Sequence, residues 1–111
     1  MVDRSLSGRV AIVTGARRGI GKAIATSLAR AGGQVALADI DADEVSAAAA
    51  EVAAMAETGT LGVRVDVTDA QQVRTLVSDT VERFGRLDVL VNAAGNPARR
   101  AVPRADRGGM G

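Results

Sequence analysis

The sequence contains no cysteine, histidine, tyrosine or tryptophan, and has one phenylalanine (Phe84), one lysine (Lys22) and two prolines. Without Cys or His there is no disulfide framework, no Zn site of the usual N/S type, no thiol nucleophile and no imidazole base. With Tyr absent as well, the only side chains able to move protons near neutral pH are carboxylates and Lys22. No run reaches the roughly 20 apolar residues of a membrane span, and residues 1–9 have no apolar core of signal-peptide type, so a cytoplasmic location is the expectation. Net charge is +1, from 14 Lys+Arg against 13 Asp+Glu, which gives no global attraction to nucleic acid or to anionic membrane.

What is present is an ordinary globular composition, 47% hydrophobic and 24% charged over 111 residues. A chain this short is one domain at most and buries roughly two-thirds of its unfolded surface. Breakers and apolar period divide it into alternating short and long segments. Arg9 to Thr14 is a β-branched run ended by Gly15 and reads as a strand buried on both faces. Ile20, Ile24, Leu28 and Ala31 recur at helical spacing, with Gly32-Gly33 as the stop. Gln34 to Asp39 is a second strand. Asp41 then precedes Glu44 at capping-box spacing, and Val45, Ala48, Ala49, Val52 and Met55 carry a helix to about Glu57. A turn through Gly59 and Gly62 leads to a third strand, Val63 to Val67. Thr68 and Gln71 repeat the capping arrangement before a helix with Val73, Leu76, Val77, Val81 and Phe84 on one face, ended by Gly85. Leu87 to Val91 is a fourth strand. The order βαβαβαβ, with connections too long for hairpins, predicts an α/β fold, a parallel sheet covered by helices in doubly wound architecture.

Composition changes after Gly95. Residues 96–111 hold both prolines and four arginines against one acid, whereas residues 1–95 hold ten basic and twelve acidic residues. A basic Pro/Gly/Arg segment without period is expected to be a solvated, disordered tail, and no aromatic is interleaved in it to stack on bases.

The chemistry lies in Thr14-Gly15-Ala16-Arg17-Arg18-Gly19-Ile20-Gly21, between a strand and a helix. Glycines there let the backbone turn sharply and approach an anion, and the first-turn N–H groups and dipole of the helix favour phosphate. A carboxylate, Asp39, ends the second strand and is followed by Ile40. An acid at that position accepts hydrogen bonds from an adenosine ribose and repels a 2′-phosphate, which points to NAD rather than NADP. Arg18 pulls weakly the other way, as a cation able to pair with a 2′-phosphate. A phosphate-loop NTPase reading fails, because Ala16 and Ala23 stand where Gly and Ser or Thr are required.

The spacing Gly15-x3-Gly19-x-Gly21, entered from Leu6-x-Gly8-Arg9-Val10-Ala11-Ile12-Val13, resembles the short-chain dehydrogenase/reductase family. Asp66-Val67 resembles the family's adenine-contacting pair, and Asn92-Ala93-Ala94-Gly95 its Asn-Asn/Ala-Ala-Gly motif, where backbone passes the cofactor ribose. These motifs span Leu6 to Gly95. The resemblance implies a Rossmann-like sheet of order 3-2-1-4 and hydride transfer between NAD(H) and an alcohol or carbonyl. The cofactor would be held by Gly15, Arg17, Arg18, Gly19, Ile20, Gly21, Asp39, Ile40, Asp66, Val67, Asn92, Ala93, Ala94 and Gly95.

The resemblance also implies a catalytic Ser and a Tyr-x-x-x-Lys pair beyond the fourth strand, and the sequence has no Tyr and no second Lys. The expectation is a truncated N-terminal half, 1–95 a partial dinucleotide-binding domain, inactive alone and weak toward NAD. With its fourth strand at an open edge, it would aggregate or associate through residues 87–91. The alternative is a small non-catalytic nucleotide-binding or interaction module that pairs through that edge. Translating the DNA that follows codon 95 in all three frames distinguishes the two.

Overall fold

The computed structural model describes residues 4–93. Its elements are β1 (Val10–Thr14), α1 (Gly19–Arg30), β2 (Gln34–Asp39), α2 (Ala42–Ala56), β3 (Thr60–Arg64), α3 (Ala70–Phe84) and β4 (Val89–Asn92). All strand pairs are parallel, as the βαβαβαβ pattern predicts, and the sheet order is β3-β2-β1-β4, the order that the family resemblance implies. Residues 94–111, including the expected tail, lie outside the described residues. Among the described residues, no helix is long and apolar enough to cross a membrane.

The sheet has two covered faces. Val13, Val35 and Leu37 pack with Ala25 and Ala29 of α1 and with Val45, Ala48, Ala49 and Val52 of α2. On the other face Ile12, Ala36 and Ala38 pack with Val65 and with Leu76 of α3. Successive strand residues point to opposite sides, so a strand buried on both faces reads as a continuous apolar run, and β1 is one from Val10 to Val13, ending in the buried Thr14.

Several expected details move. The buried stripe of α1 is Gly21, Ala25 and Ala29, while Ile20 is 78% exposed, because small residues let the helix axis approach the sheet closely. Met55 and Val81 are exposed, and Thr80 is fully buried, its hydroxyl donating to the Leu76 carbonyl at 2.8 Å. β3 begins at Thr60 rather than Val63. Gly62 is inside the strand, where the Val45 carbonyl would lie 3.0 Å from an added Cβ, so this glycine marks helix-on-strand contact rather than a turn. β1 starts at Val10, and β4 runs Val89–Asn92 rather than from Leu87. The cap of α3 is Asp69, which accepts from Gln71 N and Gln72 N, in place of Thr68. Asp41 caps α2 as expected, accepting from Glu44 N at 2.9 Å. Lys22 is half-buried and paired with Glu51.

At the amino ends of β1 and β4 the side chain of Asp88 joins the strands. It accepts from Val10 N at 2.9 Å, from Arg86 Nε and Nη2 at 2.9 and 2.8 Å, and from Arg9 Nη1 at 3.4 Å. The Arg86 side-chain bonds, then the Val10 N–H, hold its carboxyl down at about 2. A depressed folded pKa contributes stability that is full above the unfolded value of about 3.9 and lost as pH falls through the folded one. Asp88→Asn is therefore expected to lower the melting temperature at neutral pH, with the gap to the parent closing between about pH 4 and pH 2. Circular dichroism melts across that range check this, and a gap constant with pH would contradict it.

Candidate nucleotide-binding site

β1, β2 and the segment after β3 end side by side, and a cleft of about 260 Å³ opens there, lined by Gly15, Arg17, Asp39, Ile40, Val65, Asp66 and Val67. Ligands of open α/β sheets sit at the carboxyl ends of the strands, where the loops diverge. The volume is below the roughly 300–1,000 Å³ that holds a whole drug-sized ligand, a size suited to one end of a dinucleotide.

The glycine loop forms one wall. Gly15 and Gly19 have φ of +67° and +63°, the left-handed region where a side chain is strained. Space beside Gly19 is open, with no atom within 4 Å of an added Cβ, whereas a Cβ on Gly21 would lie 2.0 Å from the Gly15 carbonyl oxygen. Gly19 thus leaves room for something else, and Gly21 lets α1 start against the loop. α1 opens with the exposed Arg18 as N-cap, with no side-chain cap and no acid in its first turn, while α2 and α3 are both capped by aspartate. Those uncapped N–H groups suit an anion.

Asp39 forms the second wall. Its side chain is 9% exposed; Oδ1 faces Arg17 Nε at 3.5 Å and accepts from Asp41 N at 3.3 Å, and Oδ2 accepts from Arg17 N at 3.5 Å. Arg17, which no local pattern separates from its neighbour Arg18, also reaches Asp41 Oδ2 at 3.5 Å and Glu44 Oε2 at 3.2 Å through Nη1. A helical run of acids following a strand-ending acid was the available signal for this cluster; its arginine partner, 22 to 27 positions upstream, had none.

The third wall is Asp66 and Val67, which stand beyond the end of β3 rather than on it. Gln72 Oε1 accepts from Asp66 N at 2.9 Å, and Asp66 Oδ1 takes both Thr68 N (3.0 Å) and Thr68 Oγ1 (2.6 Å). Those Thr68 bonds, the side-chain one first, lower the Asp66 pKa, so this carboxyl stays ionised as an acceptor. Ile40 and Val67 are 49% and 37% exposed, apolar surface flanking the opening.

Arg18, Gly19, Ile20 and Gly21 do not line this cleft; they lie along the adjoining loop and first helical turn. Asn92 and Ala93 sit at the end of β4, where Thr14 Oγ1 donates to Asn92 Oδ1 at 2.8 Å and Ala93 N to the Thr14 carbonyl at 3.2 Å. Asn92 borders a second groove of about 170 Å³ with Thr14, Val67, Val73, Leu76, Val77 and Leu90. Ala94 and Gly95 lie outside the described residues. No cluster of metal-ligating side chains occurs among the described residues.

A glycine loop, a strand-ending acid and a parallel sheet of this order characterise the Rossmann fold, and among its families the profile of short chain dehydrogenase matches residues 9–107. The chain belongs to the short chain dehydrogenase family. It is 46% identical over 90 residues to L-fucose dehydrogenase of Oryctolagus cuniculus, covering 81% of this chain and 30% of that protein. It is 42% identical over 110 residues to trans-4-hydroxycyclohexanecarboxylate dehydrogenase of Sinomonas cyclohexanicum, covering 95% of this chain and 42% of that one. The crystal structure of a hydroxysteroid dehydrogenase from Escherichia coli superposes with a TM-score of 0.77 at 37% identity, covering 82% of this chain and 38% of that one. The chain thus spans 30–42% of the length of these relatives. Family members are dehydrogenases that use nicotinamide dinucleotides.

Proposed function

We propose that this chain holds the adenosine end of a nicotinamide dinucleotide, NAD rather than NADP, as part of an oxidoreductase acting on an alcohol or carbonyl group, and that these 111 residues alone do not turn over. The observation that carries the reading is the Asp39 carboxylate sharing one cleft with Gly15, Asp66 and Val67 at the carboxyl ends of the strands. The bound cofactor supplies hydride chemistry.

The residues present fit its adenosine end. Asp39 is placed to accept from ribose hydroxyls, and its charge disfavours a 2′-phosphate. The open backbone at Gly19 and the uncapped start of α1 suit a pyrophosphate. Ile40 and Val67 offer apolar faces to a flat base, with Asp66 as an acceptor for an amine. The chain has no Tyr, His or Cys to carry a proton, and its one Lys, Lys22, is paired with Glu51.

The test is titration of 15N-labelled chain with ADP and with NAD. Chemical-shift changes are expected at Gly15 to Gly21, Asp39 to Ile40 and Asp66 to Val67, with weak affinity, on the order of millimolar. The affinities for the two ligands are expected to agree within about threefold, since the nicotinamide end finds no partner here. No reduced cofactor should accumulate with added alcohols. Shifts confined to other surfaces would refute the site, and turnover would refute the claim of inactivity.

A further inference from the structure

We propose that Asp41 and Glu44 hold Arg17 away from a ribose 2′-phosphate, so that preference for the unphosphorylated ribose is set by this acidic pair together with Asp39. The inference rests on the adenosine-site reading above and deepens it. A strand-ending acid discriminates by charge, yet here the acid faces a guanidinium at 3.5 Å. Taken as a pair, Asp39 and Arg17 are neutral. Such a pair would repel a 2′-phosphate little, and a freed guanidinium is the side chain best shaped to bind one through two parallel bonds.

Two further carboxylates change that balance. Glu44 Oε2 and Asp41 Oδ2 both engage Arg17 Nη1, at 3.2 and 3.5 Å, which leaves three acids around one cation and a local charge of −2. Both acids sit at the amino end of α2, where the helix dipole favours negative charge. Asp41 divides its work between its two oxygens, Oδ1 capping the helix and Oδ2 facing Arg17. The Arg17 side chain is only 25% exposed in this arrangement. Arg17 is thereby a specificity-determining residue whose position is set from the neighbouring helix.

The experiment measures binding of AMP and of adenosine 2′,5′-bisphosphate, which differ only at the 2′ position, by chemical-shift titration of the full chain. Asp41→Asn keeps an oxygen for the cap and Glu44→Gln leaves the cap untouched, so both variants are expected to fold, which their melting curves check. In the parent AMP binds more tightly. In the double variant the bisphosphate is expected to gain about tenfold relative to AMP, and adding Arg17→Gln should abolish that gain, because Arg17 is the group that reaches the phosphate. Glu44→Gln alone should give part of the effect. An unchanged ratio in a double variant that still binds AMP overturns this proposal and leaves the site reading standing. Failure of AMP to perturb the cleft of the parent overturns the site reading and this proposal with it.

Discussion

Gly21→Ala is expected to destabilise the protein by about 3 kcal/mol or more, because the new methyl would sit 2.0 Å from the Gly15 carbonyl oxygen and 2.7 Å from its carbon. Both are backbone atoms, so no side-chain rotation relieves the clash. Either α1 lifts from the loop or the loop opens, and each exposes the Ala25 and Ala29 stripe that packs on the sheet. A domain of this size has a total stability of about 5–13 kcal/mol, so the loss is a large share of it. A melting temperature lower by about 12–24 °C is the result to look for. Gly19→Ala is the matched control. Its φ of +63° is strained for alanine, but nothing stands within 4 Å of the added carbon, so the cost is about 1 kcal/mol. Equal melting of the two variants would mean that the loop does not press on α1 as described.

Asp39→Ala is expected to weaken AMP binding at least tenfold, since a hydrogen bond to a charged acceptor contributes about 1.5–3 kcal/mol and the ribose offers two hydroxyls. Comparison with 2′-deoxy-AMP separates this effect from general damage. The parent should bind the ribonucleotide more tightly, and the variant should barely distinguish the two, giving a coupling between residue and hydroxyl. Asp39→Asn, which keeps one acceptor, should fall between. The substitution also removes the acceptor for Arg17 N and Asp41 N, so amide shifts of the loop must be compared before ligand is added. Undiminished discrimination between AMP and its deoxy form would exclude Asp39 as the ribose acceptor.

Local pattern made most of the fold legible. The centres of β1 and β2, Val10 to Val13 and Val35 to Ala38, are apolar because both faces are covered, and α2 and α3 begin at aspartates and end at residues in the left-handed region, Glu57 and Gly85. Where the reading went astray, the deciding contact was distant in sequence. Gly62 looks like a turn residue until the Val45 carbonyl is placed against it, and that contact draws β3 three residues earlier and leaves Asp66 and Val67 in the following loop. Ile20 fits a helical stripe, yet a closely approaching helix buries its small residues instead. Asp39 was visible because a strand end fixes its position. Arg17 was not, since its partners on α2 become neighbours only once α1 and α2 lie on the same face. The Asp88 clasp was equally hidden, as it joins residues 78 and 79 positions apart.

That last separation bears on how the molecule is made. β1 lies between β2 and β4 in space and is the first strand to be synthesised, and its partner on one side, β4, follows so late that Thr14 and Asn92 are 78 positions apart. At about 5–20 residues per second a ribosome needs about 4–16 s to cover that distance. Throughout that interval β1, which has partners on both flanks in the finished sheet, has none to take one of them.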